Sequence, residues 1–393
     1  MNALRNIVDK IKPTFEEGGK LAFLHSTFDA FETFMFVPKT VTTKGSHVRD
    51  CVDIKRVMII MVLALVPAFL FGIWNAGYQH SLAFGMDWNF WQIIGYGLVK
   101  IIPLYLVTYI VGLGIEFTSA QLRGHEVNEG YLVTGFILPL IVPVDVPLWM
   151  LAVATAFAVI FGKEVFGGTG MNFLNPALVA RAFLFFSYPS KMSGDSIWTG
   201  GVERFTNEGC CWVGGNGLVD GFSGATPLAN PSLDGLAEHG YSALNLFLGN
   251  IPGAVGETSV IAILLGAALL LITGVASWKI MVSTLAGGLA MGYLAFACGA
   301  TDLPGYYQIL MGGFMFGAIF MATDPVTAAQ TETGKWIYGF LIGVIAVIVR
   351  IFNPGYAEGM MLAILLMNVF APLIDHCVVS SAVKRHCKAA KNA

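Results

Sequence analysis

The sequence predicts an all-α polytopic membrane protein with ten transmembrane helices, and three observations carry that prediction. Of 393 residues, 56% are hydrophobic and only 12% are charged, with a mean hydropathy of +0.70. Soluble domains carry roughly 25% charged residues. Several apolar runs approach or exceed the ~20 residues that a spanning helix needs. Lys and Arg gather at the two ends and in alternate connectors, the asymmetry that orients spans.

Residues 1–56 form a polar arm with nine Lys or Arg. Within it Leu21, Leu24, Phe28, Phe31 and Met35 recur at helical spacing, which predicts an amphipathic helix on a membrane or partner surface, ended by Pro38. The first transmembrane repeat covers 57–189. Its spans are expected over 57–76 and 93–117, then as two shorter segments, 131–143 and 147–162, hinged at Pro143-Val144-Asp145-Val146-Pro147. Lys100 in the second span is expected to snorkel to the outer interface. A Gly-rich turn from Gly162 to Gly170 then feeds Asn175-Pro176 and a short apolar helix to Tyr188. The second repeat covers 257–379, with spans over 258–276, 280–299, 306–322, 336–352 and 357–375; residues 380–393 are a basic tail.

Both the arm and the tail are basic, so both termini are expected in the cytoplasm, which requires an even number of spans. The interval 190–256 holds only Lys191 and Arg204 among basic residues, against six acidic ones. It should therefore lie outside, after an odd number of spans. Five plus five meets both conditions. The halves also correspond: each has a broken third segment, at Pro143 or at Asp324-Pro325, and a later Asn-Pro, at Asn175-Pro176 or Asn353-Pro354. Five spans per half would insert the second copy upside down, and broken helices in inverted repeats mark binding sites near the bilayer midplane.

Ionisable residues at membrane depth or at span ends are functional candidates. Glu116 ends the second span, Asp324 lies in the Thr-Asp-Pro break, Glu358 opens the tenth span and Asp375 closes it. Carboxylate and freed carbonyl oxygens suit a hard cation such as Na⁺, while helix capping is the structural alternative for each. Arg181, on the half-helix after Pro176, needs an anionic partner: Glu164, Asp324 or a cofactor. The external interval contains Asp220-Gly221-Phe222-Ser223-Gly224-Ala225-Thr226-Pro227-Leu228, a turn of small residues that leaves the Thr226 hydroxyl accessible.

Much is excluded. The six cysteines lack the spacing of zinc or iron–sulfur sites, so no metal other than Na⁺ is expected. Gly-Gly-Thr-Gly lacks the Gly-Lys-Ser/Thr of a P-loop. There is no nucleophile–His–acid set, no cleavable signal and no basic aromatic surface for nucleic acid. Asn175-Pro176-Ala177 and the inverted repeat leave a small-solute channel or carrier as the alternative function.

Motifs along the whole chain carry a family resemblance. They include Ser46-His47-Val48-Arg49-Asp50, His125-Glu126-Val127-Asn128-Glu129-Gly130, Gly162-Lys163-Glu164-Val165-Phe166-Gly167-Gly168-Thr169-Gly170 and Asn172-Phe173-Leu174-Asn175-Pro176-Ala177-Leu178. Ser223-Gly224-Ala225-Thr226, Phe320-Met321-Ala322-Thr323-Asp324-Pro325 and Glu358-Gly359-Met360-Met361 complete them. On these the chain resembles the B subunits of Na⁺-translocating NADH:quinone reductases, related to the D subunits of Rnf-type electron-transport complexes. The long arm favours the former.

The resemblance implies a urea-transporter-like fold of two inverted five-helix repeats in a bacterial inner membrane. It implies FMN joined by a phosphoester to Thr226, with Ser223, Gly224 and Ala225 giving a flavin transferase access. It also implies a non-covalent riboflavin, electron transfer to quinone, and assembly with the other subunits of the complex and with membrane lipid. Gly112 and Arg181 fall in the implied quinone and riboflavin region, and Glu116, Asp324 and Asp375 at positions tied to Na⁺ uptake. Leu113 stands after Gly112 where a second glycine is common in the family.

Overall fold

The computed structural model describes residues 54–123, 130–194, 197–199, 224–356 and 358–392, with scattered positions before residue 47. The amphipathic helix expected from Leu21 to Met35 lies almost wholly outside the described residues, as does Ser223. Within the arm, the Phe15 and Phe28 rings stack at 4.6 Å and Lys12 pairs with Glu32 at 2.9 Å.

Every regular element among the described residues is helical. The first half contains α1 (Ile54–Ala83), α2 (Phe90–Arg123), α3 (Tyr131–Ile141), α4 (Leu148–Gly162) and α5 (Pro176–Ser187). Two one-turn helices, α6 (Leu233–Glu238) and α7 (Ala243–Leu248), lie in the interval between the halves. The second half contains α8 (Val260–Thr273), α9 (Trp278–Ala297), α10 (Gly305–Leu310), α11 (Phe314–Phe316), α12 (Glu332–Phe352) and α13 (Met360–Asn392). The short α11 runs into a π-helical turn, Gly317–Met321.

Among the described residues, six helical stretches are long and apolar enough to cross a membrane: Arg56–Ala83, Phe90–Arg123, Leu148–Phe166, Trp278–Ala297, Glu332–Phe352 and Met360–Lys391. Three more, α3, α5 and α8, are apolar but short. The 11 residues of α3 rise only ~16 Å, about half of a ~30 Å hydrocarbon core. The chain is thus a helical membrane protein that combines full-length and partial helices. The basic segment expected as a separate tail continues α13 without a break to Asn392.

Local chemistry sets these boundaries. Asn175 caps α5 by accepting from the Ala177 N–H at 3.0 Å, with Pro176 in the first turn where its missing N–H loses nothing. Ser259 caps α8, and Gly274 closes it in the left-handed conformation at φ 71°. Backbone groups exposed by the breaks find partners across the fold: the Gly256 N–H donates to the Leu140 carbonyl at 2.8 Å, as burial in an apolar medium demands.

Packing follows the two halves. In the first, α2 packs on α4 and α4 on α5; in the second, α9 packs on α12 and α12 on α13, while α1 lies against α8. The α9–α12 seam is close because Gly287 and Gly343 carry no side chain: a Cβ on either would overlap a carbonyl oxygen of the facing helix, that of Phe340 or Thr284. Tyr131, Tyr338, Phe314, Phe316 and Phe320 fill the centre. Lys100 is buried with them, at 1% exposure. It does not snorkel outward; its Nζ lies 2.9 Å from Asp145 in the Pro143–Pro147 break. The pairing removes the need to reach water.

Candidate functional site

Thr226 begins a tight turn in which the Ala229 N–H donates to the Thr226 carbonyl at 2.9 Å, with Pro227 at the position that its fixed φ favours. Before it, Ala225 is buried and its carbonyl accepts from the Tyr241 hydroxyl at 2.9 Å. Gly224 is buried too, so the small residues seat the turn against the protein while Thr226 itself stays half-exposed. Thr226 lines a cavity of about 330 Å³. That is within the ~300–1,000 Å³ range of small-molecule sites.

One wall of this cavity is charged. Arg181 Nη1 bonds Glu257 Oε1 at 2.5 Å, and Nη2 pairs with Glu358. Both partners differ from the Glu164 and Asp324 expected from sequence. Glu164 accepts from the Ser119 hydroxyl at 2.5 Å and lies 3.6 Å from Arg123, and Asp324 is bonded elsewhere. Behind Glu358 a second guanidinium, Arg350, donates to the Gln308 and Glu358 carbonyls. Two arginines and two glutamates therefore balance in charge. Trp198, Phe185 and Tyr356 supply aromatic surface. The Thr258 and Tyr356 hydroxyls line the same space, buried and without a hydrogen-bond partner among the described residues. Unpaired buried hydroxyls cost about 1–3 kcal/mol each, so they point to a polar ligand edge.

A second, smaller cavity of about 80 Å³ adjoins the other break. Asp324, Lys163, Asn172, Asn175 and Phe320 line it. Asp324 Oδ1 accepts from the Val326 N–H at 3.2 Å and Oδ2 from the Thr327 hydroxyl at 2.9 Å. Lys163 also pairs with Glu116, so Glu116 reaches this region through a buried ion pair.

Gly112 lies one helical turn before Glu116, where a Cβ would overlap the Tyr131 ring. The Tyr131 hydroxyl donates to the Thr108 carbonyl at 2.8 Å. Gly112 and Arg181 do not line a common cavity: Arg181 belongs to the Thr226 cavity and Gly112 packs on Tyr131. Asp375 accepts from the Gln330 N–H at 2.8 Å, the Thr331 N–H at 2.9 Å and the Thr331 hydroxyl at 2.5 Å, tying α13 to the Thr331 cap of α12.

Sequence reasoning missed Glu257, Lys163 and Asp145. Glu257 stands two residues before the Ser259 cap of an apolar run, a span-end position of the kind that singled out Glu358.

Comparison with known proteins assigns the family. The model of the NQR2, RnfD, RnfE family matches residues 41–384. The B subunit of a Na(+)-translocating NADH-quinone reductase from Pseudomonas paraeruginosa (strain DSM 24068 / PA7) is 45% identical, covering 97% of this chain and 98% of the relative. The protein of that name from Chromohalobacter salexigens is 43% identical over 98% of this chain and 96% of its own. The one from Azotobacter vinelandii is 42% identical over 97% of this chain and 98% of its own. Matched nearly end to end by such relatives, this helical membrane protein belongs to the NQR2, RnfD and RnfE family.

Proposed function

We propose that the chain is the membrane redox subunit of a Na⁺-translocating NADH:quinone oxidoreductase, with FMN held by a phosphoester at Thr226. The observation that carries this reading is the half-exposed Thr226 lining a cavity of about 330 Å³. The residues fit the group. Thr226 would hold the phosphate, Trp198 and Phe185 offer apolar faces, and the unpaired Thr258 and Tyr356 hydroxyls offer polar contacts to a ring edge. Bound flavin supplies one- and two-electron transfer, with its potential set by nearby charge. Arg181, Glu257 and Glu358 provide that charge along one wall. A flavin transferase would act while the Thr226 turn is still accessible.

The proposal extends to architecture. Ten spans in two inverted, urea-transporter-like repeats are supported by the matching helix packing of the halves and by a broken third segment in each. Both termini would be cytoplasmic in a bacterial inner membrane, with 190–256 in the periplasm. Quinone would approach a largely apolar groove of about 540 Å³ between α2 and the end of α4, lined by Val111, Gly114, Ile115 and Ile160 and bordered by Arg123 and Glu164. Riboflavin fits the Asp324 cavity poorly, because ~80 Å³ is far below the ~300 Å³ at which small-molecule sites begin. Na⁺ is cargo here, and electron flow can move it only if the redox states differ in their affinity for it or in access.

The test uses the assembled complex in sealed vesicles. NADH and quinone should drive Na⁺ uptake that stops when quinone is omitted. Flux of small neutral solutes, with no NADH-driven Na⁺ movement, would favour the channel instead.

A further inference from the structure

On the inverted-repeat reading, the two breaks correspond. Pro143–Pro147 follows α3 and precedes α4; Thr323–Val326 follows the π-helical turn and precedes α12. Each holds one aspartate, but their charges are handled differently. Asp145 is buried and bonded at 2.9 Å to the buried ammonium of Lys100, carried on the neighbouring helix α2. Among the described residues, Asp324 accepts only from the uncharged Val326 N–H and Thr327 hydroxyl, and it opens on a cavity.

A lysine in the middle of a helical membrane protein is a costly choice. Its stem reaches across from α2, and Tyr96 one turn earlier presents its ring 5.7 Å from the Nζ. The break that Lys100 neutralises lies behind the Thr226 cavity. Leu140, just before the break, accepts from the Gly256 N–H, and Gly256 adjoins Glu257 and Thr258 of the cavity wall. A hard monovalent cation and an ammonium satisfy a buried carboxylate by the same electrostatics.

We propose that Lys100 is a tethered cation filling a latent cation site at Asp145, the counterpart of the open position at Asp324. It makes that half of the membrane core ion-tight. Where Asp324 exchanges its cation with solution, Asp145 cannot, so the break beside the Thr226 cavity holds charge without conducting it. The inference rests on the inverted-repeat and Na⁺-transport reading above, and its test separates the two. Active uptake by the unmodified complex probes that reading; passive behaviour of variants, without NADH or quinone, probes only Lys100.

The experiment compares the purified complex with Lys100→Ala and with Lys100→Ala/Asp145→Asn. Thermal stability is followed as NaCl replaces choline chloride, and passive ²²Na⁺ efflux is followed from liposomes. Lys100→Ala leaves both the carboxylate and room beside it. Its melting temperature should rise with Na⁺ by several degrees more than that of the unmodified complex, and its liposomes should leak Na⁺ severalfold faster. The double variant removes the carboxylate and should show neither effect. The proposal is overturned if Lys100→Ala shows no added Na⁺ response or leak, or if the double variant responds equally. It is also overturned if Lys100→Ala fails to assemble even at high Na⁺ while the double variant assembles, since a latent site would let Na⁺ replace the ammonium.

Discussion

Arg181→Met is expected to destabilise the fold by about 3–5 kcal/mol, the range for removing one partner of a buried ion pair. Methionine matches the apolar stem, so the loss comes from charge and not from volume. Glu257 and Glu358 would be left converging above Gly313, where a Cβ would lie 2.6 Å from an oxygen of each carboxylate. Arg350 is held away from this task by its Nη1 and Nη2 bonds to the Gln308 and Glu358 carbonyls, which leave only its Nε unbonded among the described residues. Arg181→Lys should recover only part of the loss, since an ammonium lacks the fork that serves two carboxylates at once. Combining Arg181→Met with Glu257→Gln and Glu358→Gln removes the stranded charges and should restore most of the stability. Thermal unfolding of the solubilised complex decides the matter. An Arg181→Met protein as stable as the parent would mean that the three groups are not coupled as the structure has them.

The second large effect separates two aspartates that sequence alone treats alike. Asp324→Asn should raise the Na⁺ concentration for half-maximal quinone reduction by about tenfold, roughly 1.4 kcal/mol of lost charge–charge attraction. The Val326 N–H can still donate to the amide oxygen and the Thr327 hydroxyl oxygen can accept from the new amide NH2, so the fold should hold. Asp375→Asn should leave the Na⁺ dependence unchanged and lower stability by about 1 kcal/mol, as loss of one hydrogen bond does. Its three accepted hydrogen bonds all serve the start of α12. Titrating initial rates with NaCl at constant ionic strength reads the first effect, and a melting curve reads the second. A raised Na⁺ requirement in Asp375→Asn, with none in Asp324→Asn, would reverse these roles.

The helical membrane class was legible because it depends on local composition and on runs of apolar residues. The start of α5 was legible too, since Asn175-Pro176 carries both the cap and the first-turn proline. Partners were not. Arg181 meets Glu257 and Glu358 across 76 and 177 residues of chain, and no local pattern encodes such a contact. Lys100 was misjudged for a related reason. α2 runs from Phe90 to Arg123 and not from 93 to 117, so Lys100 lies a further turn inside the helix, and its buried partner comes from a break 45 residues on. Asp375 was ambiguous because capping and cation binding use the same carboxylate, and its three donors come from residues 44 and 45 positions away in the chain.

Thr226 is the residue on which the functional account turns, and in-gel fluorescence tests it most directly. The complex is produced in a host that has the flavin transferase, denatured, separated by electrophoresis and viewed under ultraviolet light. The account predicts a fluorescent band at the mass of this chain, lost in Thr226→Ala while the protein is still present by staining. A dark band from the unmodified protein, or fluorescence that persists in Thr226→Ala, would contradict it.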